Sequence, residues 1–445
     1  MRDAAAGPDP RRRALDEALL EWMAEEQWKR DDDRFDRLAR ELFAFQFEHC
    51  AAYARFCRGR GVTPERVGHW TQIPAVPAGA FKELRLHSFP EALTCKTFRT
   101  SGTSGSGRGA LHLDTLALYE ASLLPTIARY LFPDLRLGQT RMAIRILAPA
   151  PGEAPDSSLS HMFGCTLAAL GSGGSGYDTH GSALHADELM AALGHATAAG
   201  EAIALCGTAF AFVHLLDAME EQSGLPAAIA LAPGSRIMET GGFKGRSREL
   251  PREELYARLE TQIGVPEDHI VNQYGMTELA SQFYDSPVFD AARGQQEDET
   301  RPSAFQRRGE DTQAALPRCG EDTQAALPRC GEDTLTGAFR RRGEETLSGA
   351  FRRRKLGPPW ARVRIIDPHS GEEAVDGEVG MIVIHDLANS GSVAAIESAD
   401  LGRKVVAPDE PDPLYREGFE VLGRAAGAEQ RGCSIAADAM LEENP

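Results

Sequence analysis

The sequence lacks an apolar run long enough to cross a membrane. A membrane helix needs ~20 consecutive apolar residues, and the longest run here, Ala202–Leu216, is interrupted by Thr208 and His214. We predict that this run is a buried helix. Residues 1–13 are charged and have no apolar core of a secretory signal. The sequence therefore predicts a soluble, cytoplasmic protein with no membrane span.

An excess of basic residues is also lacking. The 445 residues include 48 Lys and Arg against 66 Asp and Glu, which gives a net charge of −18. This balance argues against binding to nucleic acid or to an anionic membrane surface, because both need clustered basic side chains. A hydrophobic content of 42% is ample for a core. The length suggests about three domain-sized units, or one large domain with an appendage.

Cysteine is sparse, and no two of the eight cysteines form a C-x-x-C pair. Their spacings match no zinc framework, and they are too few for a secreted disulfide scaffold. We expect most of them to be reduced, buried side chains. Cys319 and Cys330 lie in duplicated sequence, so their spacing does not indicate a metal site.

The apolar pattern predicts an α/β fold. Residues 1–13 are interpreted as a disordered tail. From Leu15 to Arg58 apolar residues recur every three or four positions, which predicts two or more amphipathic helices. From Phe98 to Asp285 short apolar runs alternate with longer helical stretches, as in α/β domains whose ligands bind at the carboxyl ends of the strands. We assign residues 14–292 to this α/β core.

Residues 293–355 depart from this pattern. GEDTQAALPRC occurs twice in tandem, from Gly309 and Gly320, and two looser copies start at Gly331 and Gly343. A period of 11 to 12 residues is too short for most helical repeats, and the copies have little apolar content to bury. We interpret the segment as a disordered insertion; the alternative is an array of binding motifs.

Regular structure is expected again after the insertion. Ala361–Pro368 and Gly377–Leu387 are separated by turn residues and predict a β-hairpin. This hairpin would belong to a small β-subdomain at residues 356–422. From Asp400 onward the sequence has more turn and charged residues than core residues, and residues 423–445 are assigned to a C-terminal segment.

A glycine- and hydroxyl-rich stretch at residues 98–109 is the strongest local motif. Its glycines leave backbone N–H groups accessible, its Ser and Thr residues add hydroxyls, and Arg108 adds a permanent cation. These groups suit a polyphosphate, although the sequence is not a Walker A loop. The alternative is a flexible linker.

A second motif, Asn272–Glu278, follows the apolar residues 269–271. A strand that leads into Tyr-Gly-Met-Thr-Glu would present an aromatic face, a hydroxyl and a carboxylate. These suit an adenine, a phosphate oxygen and Mg²⁺. The alternative is an ordinary connection from a strand to a helix, with Thr277 as the N-cap.

Together the two motifs closely resemble those of the adenylate-forming superfamily, whose phosphate loop is T-S-G-T-T-G-x-P-K-G and whose later motif is Y-G-x-T-E. The resemblance implies that fold's large domain and the use of ATP and Mg²⁺. It implies that Thr277 contacts the α-phosphate and that Glu278 holds Mg²⁺. The ATP-binding residues that it implies are Thr100, Ser101, Gly102, Thr103, Gly105 and Arg108 at the phosphates, and Gly241, Gly242, Tyr274, Asp400 and Arg424 around the nucleoside.

Within this resemblance, residues 239–244 match the glycine-rich adenine wall. Tyr274 would stack near the adenine. Asp400 matches the T-G-D aspartate that holds the ribose, and Gly423–Arg424 matches the G-R that opens the hinge.

The chain departs from the superfamily near its C-terminus. The hinge aspartate is replaced by Ala426, and the small C-terminal domain with its catalytic lysine has no counterpart, since the last lysine is Lys404. The C-terminal segment is therefore truncated relative to that family, and an ordinary route to coenzyme A is missing.

A narrower branch fits better, namely the acyl-protein synthetases of the bacterial bioluminescence fatty-acid reductase type. That branch ends in an R-G-C-S-like segment, which matches Arg431–Ser434, and its cysteine carries the acyl group. By this resemblance Cys433 is the acyl acceptor, with Arg431 able to lower the pKa of its thiol. Phe45–Gln46 and Pro77–Lys82 also resemble the branch.

The function implied is activation of a fatty or other hydrophobic carboxylic acid with ATP, followed by transfer to a protein cysteine. An acyl reductase or acyltransferase would be the protein partner. His161 is a candidate for the acyl channel and Lys244 for a phosphate or carboxylate, but a core histidine and a solvated lysine are the plainer interpretations. The alternative functions are an acyl- or aryl-CoA ligase of the phenylacetate type and a non-catalytic nucleotide-binding scaffold.

Overall fold

A computed structural model describes residues 9–100, 107–181, 183–221, 224–241, 250–300 and 353–425, with the backbone alone at 295–300. The helices are α1 Pro10–Met23, α2 Asp32–His49, α3 Ala51–Gly59, α4 Ala80–Glu83, α5 Ala117–Leu131, α6 Ser158–Leu170, α7 Ala186–Ala199, α8 Ala209–Glu221, α9 Arg252–Ile263, α10 Pro287–Thr300 and α11 Pro413–Arg416.

The strands of the first half are β1 Val76–Pro77, β2 Lys96–Arg99, β3 Ala110–Leu113, β4 Ala143–Leu147, β5 Gly176–Tyr177, β6 Thr179–His180, β7 Ala183–Leu184 and β8 Ile203–Thr208. Those of the second half are β9 Arg236–Thr240, β10 Ile270–Tyr274, β11 Phe283–Asp285, β12 Lys355–Leu356, β13 Ala361–Ile366, β14 Val379–Asp386, β15 Ala395–Val406 and β16 Glu417–Arg424.

The predicted N-terminal helices are present, but the tail is shorter than expected. Helix α1 already begins at Pro10, because Asp9 caps it by accepting a hydrogen bond from the backbone N–H of Arg11 (2.8 Å). Arg12 is buried and paired with Asp16 at 2.9 Å and Asp114 at 3.4 Å. Residues 10–13 therefore belong to the folded core, and the assignment of 1–13 to a tail is wrong for these four.

One large sheet organises the described part of the chain. Its strand order is β13-β14-β15-β16-β12-β11-β10-β9-β8-β4-β5, with β1 paired to β15. Strands β10, β9, β8, β4 and β5 run parallel to one another, and β11 is antiparallel to β10. The carboxyl ends of these parallel strands lie at one edge of the sheet. The strands that follow the insertion extend the same sheet on the side of β11.

The run Ala202–Leu216 is not one buried helix, as the sequence predicted, but strand β8 followed by helix α8. Thr208, the residue that interrupts the apolar run, accepts a hydrogen bond from the backbone N–H of Ala211 (3.1 Å) on its hydroxyl. A side-chain cap of this kind starts a helix. The residues on both sides of Thr208 are apolar, so the composition did not reveal the boundary between β8 and α8.

The predicted β-hairpin after the insertion is confirmed. Strand β13 pairs antiparallel with β14 from Ala361–Asp386 to Ile366–Met381. Few side chains after Asp400 are buried in the described residues, which agrees with the expectation of more turn and charge than core. The segment nevertheless contains regular structure, because Asp400 lies inside β15 and pairs with Arg424 of β16. Phe419 of β16 is buried against Phe283. No helix in the described residues is both long and apolar enough to cross a membrane.

Candidate active site

The glycine- and hydroxyl-rich stretch joins two antiparallel strands. Strand β2 pairs with β3, and Phe98 is buried opposite Leu111. At the base of the loop Thr100 donates its backbone N–H to the carbonyl of Gly109 (2.9 Å). Gly109 donates its own N–H to the hydroxyl of Thr100 (3.0 Å). The loop is therefore held at both ends by a short hairpin. The predicted contacts Ser101, Gly102, Thr103 and Gly105 lie outside the described residues.

Arg108 is turned toward the base of this loop. Its guanidinium donates to the carboxylate of Asp156 (2.8 Å) and to the carbonyl of Thr100 (2.6 Å). Asp156 in turn accepts the backbone N–H of Arg99 on its carbonyl (2.8 Å). Asp156 was not singled out in the sequence. In this arrangement Arg108 fastens the loop, and a contact with ATP phosphates stays a prediction.

The Tyr-Gly-Met-Thr-Glu motif forms the turn between β10 and β11. No helix follows it, so the interpretation of Thr277 as a helix cap is wrong; Thr277 is half-buried in the turn. Glu278 is buried, and its carbonyl accepts a hydrogen bond from the side-chain amide of Asn389 (2.9 Å). The buried carboxylate of Asp386 accepts the backbone N–H groups of the next residues, Ala280 (2.9 Å) and Ser281 (2.7 Å). Residues from β14 and beyond thus fix the position of Glu278.

The two motifs meet at Gly109. A Cβ built there would lie 3.2 Å from the methyl carbon of Thr100 and 3.3 Å from Oε1 of Glu278. The hydroxyl of Thr100 (3.6 Å) and the carboxylate of Glu278 (3.3 Å) therefore both lie next to this built Cβ. Oxygen donors of this kind are the ligands that Mg²⁺ prefers, so the residues present fit the metal that the sequence predicted.

Three side chains that the sequence predicted at the nucleoside are Tyr274, Asp400 and Arg424. The hydroxyl of Tyr274 donates to Oδ2 of Asp400 (2.9 Å), and Nε of Arg424 lies 3.9 Å from the other oxygen of that carboxylate. Phe419 packs edge-on against Tyr274 with ring centroids 5.7 Å apart. Burial and the Asp400 charge raise the pKa of Tyr274 well above its usual value, so its hydroxyl stays protonated. Three of the predicted nucleoside residues are thus brought together.

The segment that the sequence predicted to form the adenine wall begins where β9 ends. Thr240 is paired with Gln273 of β10, and Gly241 follows with a left-handed φ of +81° that favours glycine. The ends of β9 and β10 therefore lie side by side at the edge where α/β proteins bind ligands. Gly242 and Lys244 lie outside the described residues.

A buried polar network beneath these strands was missed in the sequence. Glu239 accepts hydrogen bonds from Tyr256 (2.8 Å) and from the side-chain amide of Asn272 (2.6 Å). The ammonium of Lys355 donates to Asp285 (2.6 Å) and to the carbonyl of Asn272 (2.9 Å). Burial lowers the pKa of Lys355 to about 8 and raises that of Glu239. Because its members are far apart in the sequence, no local motif predicts this network.

Five cysteines are described, and none has an activated thiol. Burial raises the pKa of Cys57 and Cys206 to about 12 and that of Cys165 to about 11, and it also raises the pKa of Cys50 and of the exposed Cys95. The prediction that most cysteines are buried and reduced holds for the described ones. The predicted acceptor, Cys433, lies outside the described residues, as does Arg431.

His161 lies on α6 beside the hairpin. Its ring contacts Phe98 and Tyr119 with centroids 5.4 and 5.7 Å apart, and its Nε2 lies 3.1 Å from Oε1 of Glu120. Desolvation lowers the pKa of His161. The ring is thus held in place by packing and by a carboxylate, and its predicted place in an acyl channel stays a prediction.

Comparison with solved structures defines the class to which this fold belongs. The open form of 2-hydroxyisobutyryl-CoA ligase, with 2-HIB-AMP and CoA, superposes with a TM-score of 0.52 at 13% identity, covering 95% of this chain and 80% of that one. The same ligase in its postadenylation state with R3-HIB-AMP gives a TM-score of 0.51 at 13% identity, covering 95% and 72%. The chain therefore has the α/β fold of the adenylate-forming enzymes.

Part of the chain is also similar in sequence to a curated protein. Over 91 residues the chain is 31% identical to the long-chain-fatty-acid–luciferin-component ligase of Aliivibrio fischeri, which covers 20% of this chain and 24% of the relative. The match thus spans about a quarter of that relative's length. No protein-family model matches the chain. The resemblance that the two motifs indicated is confirmed, in fold and in partial sequence.

Proposed function

We propose that this protein activates a fatty or other hydrophobic carboxylic acid with ATP and passes the acyl group to a protein cysteine, with Cys433 as the acceptor. The observation that carries the proposal is the meeting of the two motifs at Gly109, where Thr100 and Glu278 lie within 3.2 and 3.3 Å of a built Cβ. The partial match to a long-chain-fatty-acid ligase supports the choice of acid.

The first step is formation of an acyl-adenylate. A carboxylate oxygen of the acid attacks the α-phosphorus of ATP, the bond to the β-phosphate oxygen breaks, and pyrophosphate leaves. Such chemistry needs positioning and neutralisation of charge more than covalent help from the protein. Backbone N–H groups of the loop and the hydroxyl of Thr277 would hold the phosphates. Mg²⁺ at Glu278 would neutralise phosphate charge.

The nucleoside would be held at the other end of the site. The carboxylate of Asp400 would accept hydrogen bonds from the ribose hydroxyls, and it is kept in place by Tyr274 and Arg424. Arg108, which is fastened to Asp156, would hold the loop in position over the triphosphate. Gly241 and Gly242 would leave room for the adenine.

The second step is thiol transfer. A thiolate attacks the carbonyl carbon of the mixed anhydride, the bond to the phosphate oxygen breaks, and AMP leaves. The thiols of the described cysteines have raised pKa values and are poor nucleophiles at neutral pH. Cys433 is the better candidate, and a partner acyl reductase or acyltransferase would then remove the acyl group.

The test is intact-mass spectrometry of the protein after incubation with Mg-ATP and a panel of carboxylic acids. We expect a hydroxylamine-labile acyl adduct on the wild type that is absent from Cys433→Ser. Cys95→Ser is the matched control, because Cys95 is an exposed cysteine with no proposed role. It should acquire the adduct as the wild type does.

Pyrophosphate exchange separates the two steps. Glu278→Gln should lose exchange, whereas Cys433→Ser should keep it. Exchange without an adduct on any cysteine would support the adenylate step but would identify coenzyme A, not a protein cysteine, as the acyl acceptor to be tested next. ATP binding without exchange, across the whole panel, would overturn the enzymatic proposal in favour of a nucleotide-binding scaffold.

A further inference from the structure

Three potential metal ligands converge on the surface of two packed helices. Glu120 lies on α5, and His161 and Cys165 lie one turn apart on α6, so their side chains project from the same face. One donor atom from each lies within 4.8 Å of the other two. His161 and Cys165 are half-buried, and the carboxylate of Glu120 remains open to solvent.

The spacing of the three atoms suits a single ion. Nε2 of His161 is 3.1 Å from Oε1 of Glu120 and 3.5 Å from Sγ of Cys165, and that sulfur is 3.8 Å from the same carboxylate oxygen. A tetrahedral zinc ion with ordinary bond lengths separates its N and O ligands by about 3.4 Å, its N and S ligands by about 3.5 Å and its O and S ligands by about 3.6 Å. Each observed distance is close to that value.

The chemistry of the donors selects the kind of metal. A thiolate and an imidazole favour Zn²⁺ and related transition ions over Mg²⁺, which prefers oxygen. One thiolate, one carboxylate and a neutral imidazole also balance the charge of a divalent ion, which matters in a half-buried site. The ring of His161 is held by Phe98 and Tyr119, so this ligand is already oriented.

We propose that Glu120, His161 and Cys165 form a binding site for Zn²⁺ or a similar transition metal, with one coordination position left open to water or another ligand. The site is separate from the Mg²⁺ position at Glu278 and takes a different class of ion. It would cross-link α5 to α6 behind Phe98, which anchors the hairpin of the phosphate loop. It does not depend on the function proposed above.

The experiment titrates the full chain, purified without a histidine tag and stripped with a chelator, with Co²⁺ and then Zn²⁺. We expect one equivalent of Co²⁺ to give tetrahedral visible bands and a near-ultraviolet thiolate charge-transfer band, both removed by Zn²⁺. Binding should release about one proton, because the thiol must ionise. Excess Mg²⁺ should not compete.

Variants decide which residues are the ligands. Cys165→Ser should abolish the charge-transfer band, and Glu120→Gln, at a solvent-accessible carboxylate, should weaken Zn²⁺ binding about 10-fold or more. Cys95→Ser is the control for a cysteine outside the cluster. Circular dichroism and the melting temperature without metal verify that each variant is folded.

Three results would overturn the proposal. One is a charge-transfer band that persists in Cys165→Ser, which would assign the metal to other cysteines. Another is binding that is lost in His185→Ala and kept in Glu120→Gln, which would assign it to the cluster of His180, His185 and Glu188. Failure of the wild type to bind Zn²⁺ tightly enough to survive gel filtration would equally overturn it.

Discussion

Gly109 and Glu278 are distant in the sequence, yet a Cβ built on Gly109 would lie 3.3 Å from Oε1 of Glu278. The glycine lies at the end of the glycine- and hydroxyl-rich stretch, just before β3, and the glutamate lies in the turn after β10. The turn is fixed from behind by Asn389 and Asp386. The absence of a side chain at residue 109 thus lets the carboxylate approach the loop, which gives the first prediction.

Gly109→Ala should reduce ATP–pyrophosphate exchange by about 10-fold or more, because the methyl group would press on both Thr100 and Glu278. Because Gly109 is buried, the melting temperature is measured alongside, so that exchange is compared at a temperature at which the variants are folded. Gly107→Ala is the matched control, because the nearest atom to its Cβ is a carbonyl at 3.5 Å, an ordinary contact. Equal activity of the two variants would contradict the role given to Gly109.

Tyr274 and Tyr256 each donate to a carboxylate, and the two pairs predict opposite phenotypes. Tyr274→Phe removes the hydrogen bond to Asp400 and should raise the KM for ATP several-fold with little change in stability. Tyr256→Phe removes a hydrogen bond to the buried Glu239 and should cost about 1–3 kcal/mol of unfolding free energy, with the KM for ATP nearly unchanged. Urea unfolding and steady-state kinetics measure both, and an interchange of the two phenotypes would refute the assignment.

Lys355 is a third point of test, because its ammonium is buried against Asp285. Lys355→Met should destabilise the fold by about 3 kcal/mol, since the buried carboxylate of Asp285 would lose its close partner and keep the longer ion pair with Arg353 (3.6 Å). The double variant with Asp285→Leu should recover much of that loss. The surface pair of Arg403 and Glu420 is the control, and Arg403→Gln should cost less than about 1 kcal/mol. Urea unfolding of the wild type and the three variants measures these differences.

Acid sensitivity follows from His385, which is fully buried with Trp70 packed edge-on at 4.9 Å. Burial lowers the pKa of His385 to about 3, whereas an unfolded histidine titrates near ~6.5. Between these pH values the unfolded chain binds a proton that the folded chain does not. The free energy of unfolding therefore falls as the pH drops from about 6.5 to about 3, by up to ~1.4 kcal/mol per pH unit for this group.

His385→Met, which does not titrate, should give a shallower fall in that window when urea unfolding is measured across pH. A residual slope is expected, because burial also lowers the pKa of His112 to about 4. Parallel curves for wild type and variant would mean that His385 does not contribute.

The sequence predicted most where a function needs adjacent residues. The glycine- and hydroxyl-rich stretch, the Tyr-Gly-x-Thr-Glu turn and the hairpin of β13 and β14 are local patterns. The hairpin is confirmed and the strand that leads into the second motif is present as β10, whereas the roles of both motifs in binding ATP stay predictions. Boundaries set by one hydrogen bond were missed, as at Thr208, where a hydroxyl turns an apolar run from strand to helix. Lys355 and Asp386 contact Asp285 and Ser281, partners far along the chain, so no spacing in the sequence indicated them.

The repeats can be removed cleanly only if the folded residues on either side of them are kept. The assignment of residues 293–355 to the insertion is too wide at both ends, because residues 293–300 belong to α10 and Lys355 to β12. Arg293 of α10 pairs with Glu410 at 2.9 Å, and Arg353 pairs with Glu267 at 2.7 Å. Arg354 is buried and donates to the carbonyl of Tyr415 (3.1 Å). A deletion of residues 293–354 would break these contacts as well as remove the repeats.

Replacement of residues 301–352 by a glycine-serine linker is therefore the sharper experiment. We expect pyrophosphate exchange within about twofold of wild type and an unchanged melting temperature, because long surface insertions cost a fold little. The larger deletion, 293–354, is the control and should lower the melting temperature by removing the anchors. A folded linker variant that lost exchange would contradict the interpretation of the repeats as an insertion without a function. It would show that the repeats are needed for catalysis.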